Sequence, residues 1–171
     1  VGDYDGDGRP DIVVAYKTSS IRLYRNLGDF RFADVTEAAG LSEPERVSRT
    51  LWSRLRTGIS FGSVATPAWI HGVVFADVDN DGRLDVYVCR FGAPNLLYMN
   101  RGDGTFAEEA VARGLAETDA SVTAAFCDFD RDGWLDVYLQ TNLLDARTEP
   151  EGRRDYLFRN AGKGFFVDVS E

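Results

Sequence analysis

Hydrophobic residues occur along this chain in short runs that are separated by polar turns. The runs at 12–14, 86–88 and 137–139 are rich in valine, isoleucine and other strand-forming residues, and further apolar runs lie at 72–76 and 122–127. Runs of this length are typical of buried strands, because they are too short for helices. Each of the first three is followed by a second run that ends in Asn-x-Gly and then by a segment containing phenylalanine. Since Asn and Gly tolerate positive φ, the pattern predicts a hairpin and its return strand.

The runs recur three times, with the same spacing in the first two repeats and a longer one, from Asp136 to Phe158, in the third. The distance from an aspartate to the aromatic residue of the second run is thirteen residues from Asp11 to Tyr24 and again from Asp85 to Tyr98. Each repeat contains about four short strands, and a sheet of that size has two faces that need neighbours. Radial stacking of such sheets provides those neighbours. The sequence therefore predicts an all-β fold, a β-propeller segment of about three four-stranded antiparallel blades.

The period is broken once, between the first and second repeats. We expect one partial propeller over 1–171, with repeats at about 1–41, 71–115 and 122–171 and an insertion at 42–70. The segment Ser42-Glu43-Pro44-Glu45 has the form of a capping box, and the apolar residues after it have helical spacing, which predicts a short amphipathic helix. The polar face of this helix carries Arg46, Arg49, Arg54 and Arg56. These arginines form either a solvated face or a contact for a partner or ligand.

An acidic segment of fixed spacing directly precedes each of the strand-forming runs at 12–14, 86–88 and 137–139. Carboxylates stand at positions one, three, five and nine and glycine at position six, as in Asp77-Val78-Asp79-Asn80-Asp81-Gly82-Arg83-Leu84-Asp85, and the pattern recurs at 3–11 and 128–136. Four close carboxylates repel one another unless a cation lies between them. Calcium fits, because it takes six to eight oxygen ligands at about 2.3–2.6 Å. The spacing predicts about three calcium ions, one in each loop.

The acidic segments have two alternative interpretations. An EF-hand loop shares the first six positions but closes with a glutamate at position twelve. This chain has Val14, Val88 and Leu139 at that position, and each lies in a predicted strand rather than a helix. The segments could also be acidic turns that bind no metal, but threefold repetition of four close carboxylates disfavours that interpretation.

The segment Asp-x-Asp-x-Asp-Gly-x-x-Asp followed by an apolar strand resembles the FG-GAP or VCBS repeat, as in the β-propeller of integrin α subunits and many bacterial secreted proteins. The flanking segments 23–26 and 32–41 resemble, more narrowly, bacterial propellers associated with ASPIC/UnbV domains. The resemblance implies that the metal ligands are the side chains at positions one, three, five and nine and the carbonyl of position seven. The implied ligands are Asp3, Asp5, Asp7, Arg9 and Asp11; Asp77, Asp79, Asp81, Arg83 and Asp85; and Asp128, Asp130, Asp132, Trp134 and Asp136.

The formal charge of −9 is concentrated in these segments, which hold twelve of the 28 acidic residues. Three bound dications would add six charges and bring −9 to −3. Phosphate binding needs a basic stripe, and this acidic chain has none. Nucleic acid is therefore not expected as a partner. No run of eighteen apolar residues is present, so no membrane span is expected. Cys89 and Cys127 both lie in apolar runs, where they are buried thiols or, alternatively, pair with each other.

Other candidate residues favour packing over chemistry. Arg101-Gly102-Asp103 spells an integrin-binding tripeptide, but turn geometry explains its glycine. His71 is the only histidine, which supports neither a histidine-rich metal site nor a catalytic triad, and we expect it to precede a strand at a blade edge. Trp52, Trp69 and Trp134 either stack on sugars or pack in the core or at the rim. The chain is therefore not expected to be an enzyme.

These observations favour a calcium-stabilised propeller segment of an extracellular, periplasmic or cell-surface protein. Its expected role is to bind a protein or glycan ligand, with calcium serving the scaffold. The alternatives are the scaffold of a polysaccharide-active enzyme and a structural repeat of a surface assembly. Three loops make about three blades, whereas propellers usually have four to eight. Further blades, or copies of the chain itself, are expected to complete the ring.

Overall fold

A computed structural model describes residues 1–16, 20–41, 69–141 and 154–171, and these residues form three antiparallel sheets. The first sheet contains β1 (Ile12–Tyr16), β2 (Ser20–Gly28) and β3 (Arg31–Asp34). The second contains β4 (Trp69–Ala76), β5 (Asp85–Phe91), β6 (Leu96–Asn100) and β7 (Phe106–Glu108). The third contains β8 (Ser121–Cys127), β9 (Asp136–Thr141), β10 (Tyr156–Asn160) and β11 (Phe166–Asp168). In every sheet the strands lie in chain order, so the predicted all-β architecture of three meandering blades is confirmed.

The first sheet has three strands, and an isolated bridge stands where the other sheets have their first strand. Gly2 and Asp11 exchange backbone hydrogen bonds of 3.1 and 2.9 Å. The bridge corresponds in register to the Ala76–Asp85 pair of the second sheet. The first acidic loop is therefore closed at its base in the same way as the second.

The strand β4 begins at Trp69, three residues before the predicted first strand of the second sheet. The insertion predicted at 42–70 thus includes the first two residues of this strand, and His71 lies inside the strand rather than before it. A register shift between Ile70 and Gly72 accommodates the extension. The rings of Trp69 and His71 stack on Phe91 of the neighbouring strand at 5.9 and 6.1 Å. The predicted helix of the insertion, its arginines and Trp52 lie outside the described residues.

Two hydrophobic clusters lie between the sheets, and successive residues of β5 belong alternately to one cluster and the other. Because successive side chains of a strand point to opposite faces, Val86 and Val88 face the first sheet while Tyr87 and Cys89 face the third. The cluster between the first two sheets includes Tyr4, Ile21, Leu23, Leu41, Leu96 and Tyr98. The cluster between the second and third sheets includes Val78, Leu97, Met99, Leu115, Val137, Leu139, Phe158 and Phe166. The second sheet is consequently buried on both faces.

A single helical turn, α1 (Ala110–Arg113), follows β7 and was not predicted. It ends at Gly114, which has a φ of 82° and caps the turn in the left-handed conformation. A side chain at Gly114 would clash with the carbonyl of Phe166 in the third sheet. The buried Leu115 follows directly, so the turn carries a core residue into the space between two sheets. Within the described residues, no helix has the length and apolar character that crossing a bilayer requires.

Both cysteines are free thiols, but their surroundings differ. Cys89 is fully buried in β5, and burial raises the pKa of its thiol to about 12. Cys127 is exposed at the end of β8, so the expectation that it is buried is wrong. It alternates with Phe126, which packs toward the second sheet, and therefore lies on the opposite, outer face of the third sheet.

Candidate metal centres

The three acidic loops occupy equivalent places in the three sheets. The loop at 77–85 joins β4 to β5, and the loop at 128–136 joins β8 to β9. The loop at 3–11 leads from the Gly2–Asp11 bridge into β1. Each loop turns through positive φ at its fourth and sixth positions, as at Asn80 (55°) and Gly82 (85°) in the second loop. The sixth position thus favours glycine, which all three loops have there.

The carboxylate at position nine holds each loop to its sheet. Asp85 is 1% exposed, and its two oxygens accept hydrogen bonds from the backbone N–H groups of Val78 (3.1 Å) and Asn100 (2.8 Å). Asp11 and Asp136 accept the equivalent pairs of bonds from Tyr4 and Asn26 and from Phe129 and Asn160. Burial raises the pKa of Asp85 to about 7, although the two N–H donors oppose that shift. A nearby cation would favour the charged form of this carboxylate.

In the second loop, the carboxylate at position one shapes the turn and the carboxylate at position three has an oxygen without a donor. The Asp77 carboxylate accepts hydrogen bonds from the backbone N–H groups of Asp81 (3.1 Å) and Gly82 (2.9 Å). Asp79 Oδ1 is buried and has no hydrogen-bond partner among the described residues. Burial, and then the neighbouring Asp81 carboxylate, raise the pKa of Asp79. A buried, negatively charged oxygen without a donor fits a cation site.

Carboxylate oxygens of positions one, three and nine converge in all three loops. In each group one oxygen per residue lies within 4.8 Å of the others, and the groups are Asp3, Asp5 and Asp11; Asp77, Asp79 and Asp85; and Asp128, Asp130 and Asp136. Two oxygens on opposite sides of one calcium ion are about 4.6–5.2 Å apart. The spacing therefore allows a single calcium ion to contact all three carboxylates of a group.

The carboxylate at position five of each loop is not part of these groups and contacts the residue at loop position seven. Asp81 accepts a hydrogen bond from the backbone N–H of Arg83 at 2.9 Å and pairs with its guanidinium. Asp7 contacts Arg9 in the same two ways, and Asp132 accepts a 2.9 Å hydrogen bond from the backbone N–H of Trp134. The side chains of residue seven also reach the Asn-x-Gly turns, as where Arg83 Nε donates to the Asn100 carbonyl at 3.2 Å. Metal ligation by the fifth side chain and the seventh carbonyl stays a prediction.

An arginine approaches the position-three carboxylate in every loop. Arg25 lies 2.6 Å from Asp5, and Arg159 lies 3.9 Å from Asp130. These arginines directly precede the asparagine of the hairpin turn, and Met99 stands there in the second sheet. Its place is taken by Arg113 of α1, which lies 3.8 Å from Asp79. Sequence reasoning missed these contacts, although Arg25 and Arg159 share one register.

The asparagines of the second and third Asn-x-Gly turns link their sheets to the previous loop. Asn100 Nδ2 donates to the carbonyl of Leu84 in its own loop (3.1 Å) and to that of Tyr4 in the first loop (2.8 Å). Asn160 Nδ2 donates in the same way to Leu135 (3.1 Å) and to Val78 of the second loop (2.8 Å). Sequence reasoning assigned these asparagines to turn formation alone. They also join neighbouring sheets beside the acidic clusters.

Sequence reasoning also missed a side-chain acceptor for a backbone N–H at the end of each sheet. In the first sheet the Thr36 hydroxyl donates to Asp34 at 2.6 Å and accepts from the Leu23 N–H at 2.9 Å. The third sheet repeats this arrangement with Asp168, Ser170 and Leu157. In the second sheet Ala110 has no hydroxyl, and the longer Glu108 side chain instead accepts directly from the Leu97 N–H at 3.2 Å. The recurring Asp-Val-Thr/Ser segment was the available signal.

The remaining candidates lie in packing or turn positions. Trp69 is 37% exposed and stacks on Phe91, and the Trp134 ring lies beside the third Asn-x-Gly turn. Arg101-Gly102-Asp103 forms the turn between β6 and β7, with Gly102 at a φ of 76°. The Asp103 carboxylate accepts hydrogen bonds from the Thr105 hydroxyl and N–H, which lower the pKa of Asp103. An open surface groove is lined by Arg22, Asp34, Glu37 and Ala38.

Comparison with known proteins agrees with this repeat structure. A family model described as an FG-GAP-like repeat matches residues 3–53 and 77–139. Human cartilage acidic protein 1 is 33% identical over 136 residues, which are 79% of this chain and 19% of that protein. The Xenopus tropicalis protein of the same name is 31% identical over 67 residues, which are 39% of this chain and 10% of that protein. This chain thus spans a fifth or less of these curated relatives.

One of the solved structures that match this chain is that of an Agrocybe aegerita lectin, described as recognising non-reducing terminal N-acetylglucosamine. The two chains are 19% identical, with a TM-score of 0.48, and the alignment covers 97% of this chain and 36% of the lectin.

Proposed function

Because the chain belongs to the family of FG-GAP-like repeats, we propose that it is a binding module whose blades are stabilised by calcium. The observation that carries the proposal is the convergence of the carboxylates at positions one, three and nine in three equivalent loops. In this proposal the chain acts by binding and not by catalysis. The calcium ions serve the scaffold, and a protein or glycan ligand contacts another part of the surface.

The donor set supports calcium as the cation. All donors of the three groups are carboxylate oxygens, which are ligands of a hard cation. Magnesium requires near-octahedral geometry at about 2.0–2.1 Å, whereas calcium accepts longer and more irregular contacts. A bound ion would neutralise part of the repulsion within each group. Asp85 and its counterparts already join the loop to two strands through backbone hydrogen bonds, so ion binding would be coupled to the order of the blade.

Thermal unfolding with and without chelator tests the structural role of calcium. We expect EDTA to lower the melting temperature markedly and excess calcium to restore it, because the ion binds only the folded loops. Excess magnesium is the ionic control and should restore less. An unchanged melting temperature in excess chelator would contradict the proposal.

Isothermal titration calorimetry tests the three sites separately. We expect about three calcium ions per chain and about two after Asp79→Asn, which removes a charge from the second group. Glu37→Gln is a matched control, because Glu37 is an exposed carboxylate outside the three groups. A loss of binding by the control equal to that of Asp79→Asn would show that the carboxylates of the loops are not the ligands.

The proposed location is extracellular, periplasmic or at the cell surface. Support comes from the family, since FG-GAP repeats are typical of extracellular proteins. The name of the human relative associates that protein with cartilage and with acidity, and this chain also is acidic, with a formal charge of −9. Surface labelling of cells that make the full-length protein tests the location, and a signal confined to the cytosolic fraction would contradict it.

The ligand-contact surface is proposed to include the arginines predicted in the insertion. The experiment compares binding to a glycan array and to a panel of extracellular-matrix proteins before and after substitution of Arg46, Arg49, Arg54 and Arg56 by glutamine. Loss of binding with an unchanged melting temperature supports the proposal. Arg31→Gln is the control, because Arg31 is an exposed arginine in β3. Binding that survives the quadruple substitution would place the contact elsewhere.

A further inference from the structure

Hydrogen bonds connect carboxylates of the second and third loops through a buried asparagine. Asp136 of the third loop accepts a bond from the backbone N–H of Asn160 at 2.8 Å. The side-chain amide of Asn160 donates to the carbonyl of Val78 at 2.8 Å, and the N–H of Val78 donates to Asp85 of the second loop at 3.1 Å. All four residues are at most 1% exposed. Bonds shielded from water are electrostatically stronger than exposed ones, so a displacement of one carboxylate strains the bonds that hold the other.

The first and second loops have an equivalent connection. Asn100 donates from its backbone N–H to Asp85 at 2.8 Å and from Nδ2 to the Tyr4 carbonyl at 2.8 Å. The N–H of Tyr4 donates to Asp11 of the first loop at 3.1 Å. The carboxylates at position nine of all three loops are therefore joined in one series of hydrogen bonds. An ion that ordered one of these carboxylates would also order the groups that bond the next.

The second and third loops also touch directly. Asn80, at position four of the second loop, donates from Nδ2 to the carbonyl of Gly133, at position six of the third loop, at 2.7 Å. That carbonyl belongs to the peptide group whose N–H, on Trp134, donates to Asp132 at 2.9 Å. The first loop has Gly6 at position four, which has no side chain to make such a bond. The direct contact is therefore a property of the second and third loops.

Arg113 joins the second loop to the hairpin turn of the third sheet. Its side chain is 13% exposed and lies 3.8 Å from the Asp79 carboxylate. Nη1 donates to the Lys163 carbonyl at 2.7 Å, and the guanidinium lies 5.3 Å from the centre of the Phe165 ring. In the first sheet Ala39 stands at the corresponding place before the Gly-Leu pair, so this place supplies no guanidinium there. Arg113 thus holds a carboxylate of one loop against the sheet that carries the next loop.

We propose that Asn160, Asn80 and Arg113 are positioning residues that couple the second and third calcium sites, so that an ion in one site raises the calcium affinity of the other. The inference rests on the proposed function, because it requires that both loops bind calcium. Without an ion the carboxylates of a loop repel one another and the loop loosens. A loosened second loop pulls on the contacts that order the third loop and its hairpin. The effect is reciprocal, since linkage requires that each ion favour the other by the same factor.

Terbium luminescence provides a measurement specific to the third site. Trp134 stands at position seven of the third loop and can sensitise a terbium ion bound there, whereas the first two loops have arginine at that position. With selective excitation of tryptophan, the calcium concentration that halves the terbium signal measures the calcium affinity of the third site. Trp134→Phe should abolish the signal, which establishes that the signal comes from this loop.

A double-mutant cycle tests the coupling. Asp79→Asn weakens the second site and changes no carboxylate of the third. We expect it to lower the calcium affinity of the third site at least about fivefold, which is near the lower end of the usual coupling between sites. In a background with Asn80→Gly and Arg113→Ala, which carries the residues of the first sheet, the loss should be less than about twofold. Asp5→Asn is the equivalent change in the first loop, and as the matched control it should also cost less than about twofold.

The outcomes separate this inference from the proposed function. An equal loss of affinity after Asp79→Asn in both backgrounds, no loss in either, or an equal loss after Asp5→Asn would overturn the coupling and leave three calcium sites in place. Absence of any terbium signal, together with a melting temperature that EDTA does not change, would overturn the proposed function and the coupling with it. Circular dichroism in excess calcium establishes that each variant is folded, and Asp77→Asn replaces Asp79→Asn if the latter is not.

Discussion

The second and third sheets are two copies of one sequence repeat, yet they place an equivalent tyrosine in different environments. Tyr87 and Tyr138 stand two residues after the last aspartate of their loops. The Tyr87 hydroxyl donates to the carbonyl of Leu115 at 3.2 Å and accepts from Asn95 Nδ2 at 2.9 Å, and its ring is buried. The Tyr138 hydroxyl donates to the Asp155 carboxylate, and its ring is 44% exposed. The repeat determines the position of a side chain, and the neighbouring sheet determines its energetic contribution.

The two sheets also satisfy one backbone donor in different ways. The N–H of Leu157 donates to the hydroxyl of Ser170, whereas the equivalent N–H of Leu97 donates to the Glu108 carboxylate. Both groups would otherwise lose their hydrogen bonds to water on folding. The repeats therefore share backbone hydrogen-bonding requirements more strictly than they share residue types.

Substitution of the two tyrosines should produce the largest difference between the sheets. Tyr87→Ala is expected to cost about 3–5 kcal/mol, because it leaves a cavity and removes two hydrogen bonds. Tyr138→Ala is expected to cost about 0.5 kcal/mol or less in dilute protein, because the ring is half exposed. Urea denaturation of both variants measures the two values, and equal costs would refute the comparison.

The hairpin asparagines provide a smaller contrast. Asn100→Ala and Asn160→Ala are each expected to cost about 1–3 kcal/mol, because each removes a cross-sheet bond and leaves a carbonyl of the preceding loop unsatisfied. Asn26→Ala is expected to cost about 1 kcal/mol, because its Nδ2 bond is exposed and stays within its own loop. Chemical denaturation compares the three variants. A cost for Asn26→Ala equal to the other two would argue against a special role of the cross-sheet bond.

Exchange of the side chain that accepts the N–H at the end of the sheet should have the smallest effect on stability. Glu108→Ala removes the acceptor of the Leu97 N–H and is expected to cost about 1 kcal/mol. The double substitution Glu108→Asp with Ala110→Ser recreates the arrangement of the third sheet and should recover most of that loss. Denaturation midpoints of the single and double variants measure the recovery. A double variant no more stable than Glu108→Ala would show that the glutamate and aspartate–serine arrangements are not equivalent.

The sequence predicted what depends on local pattern. Asn-x-Gly located the hairpin turns because Asn Oδ1 and the Gly N–H interact within three residues, as at Asn100 and Gly102 (2.9 Å). The convergence of positions one, three and nine likewise follows from a nine-residue spacing. These features depend on residues close together in the chain, for which periodicity and turn chemistry are informative.

Features that depend on distant residues were not predicted. Arg113 approaches Asp79 from a different element because Met99 occupies the usual place of the arginine, and no local pattern indicates that substitution. The exposure of Cys127 depends on which sheet lies beside β8, and its apolar run alone could not reveal that. The extension of β4 to Trp69 depends on stacking with Phe91 of the partner strand. In each case the missing information is the identity of a spatial neighbour.

The asparagine bonds between sheets have a consequence for the order in which the chain is made. Each sheet consists of strands adjacent in sequence, but the bond from Asn100 spans 96 residues and that from Asn160 spans 82. A ribosome delivers the acceptor carbonyl of Tyr4 well before its donor, since synthesis runs from the N-terminus. A nascent sheet can therefore form its own strand pairs while this carbonyl still binds water. Every sheet-to-sheet connection is then completed by the later partner, which gives assembly on the ribosome a single direction.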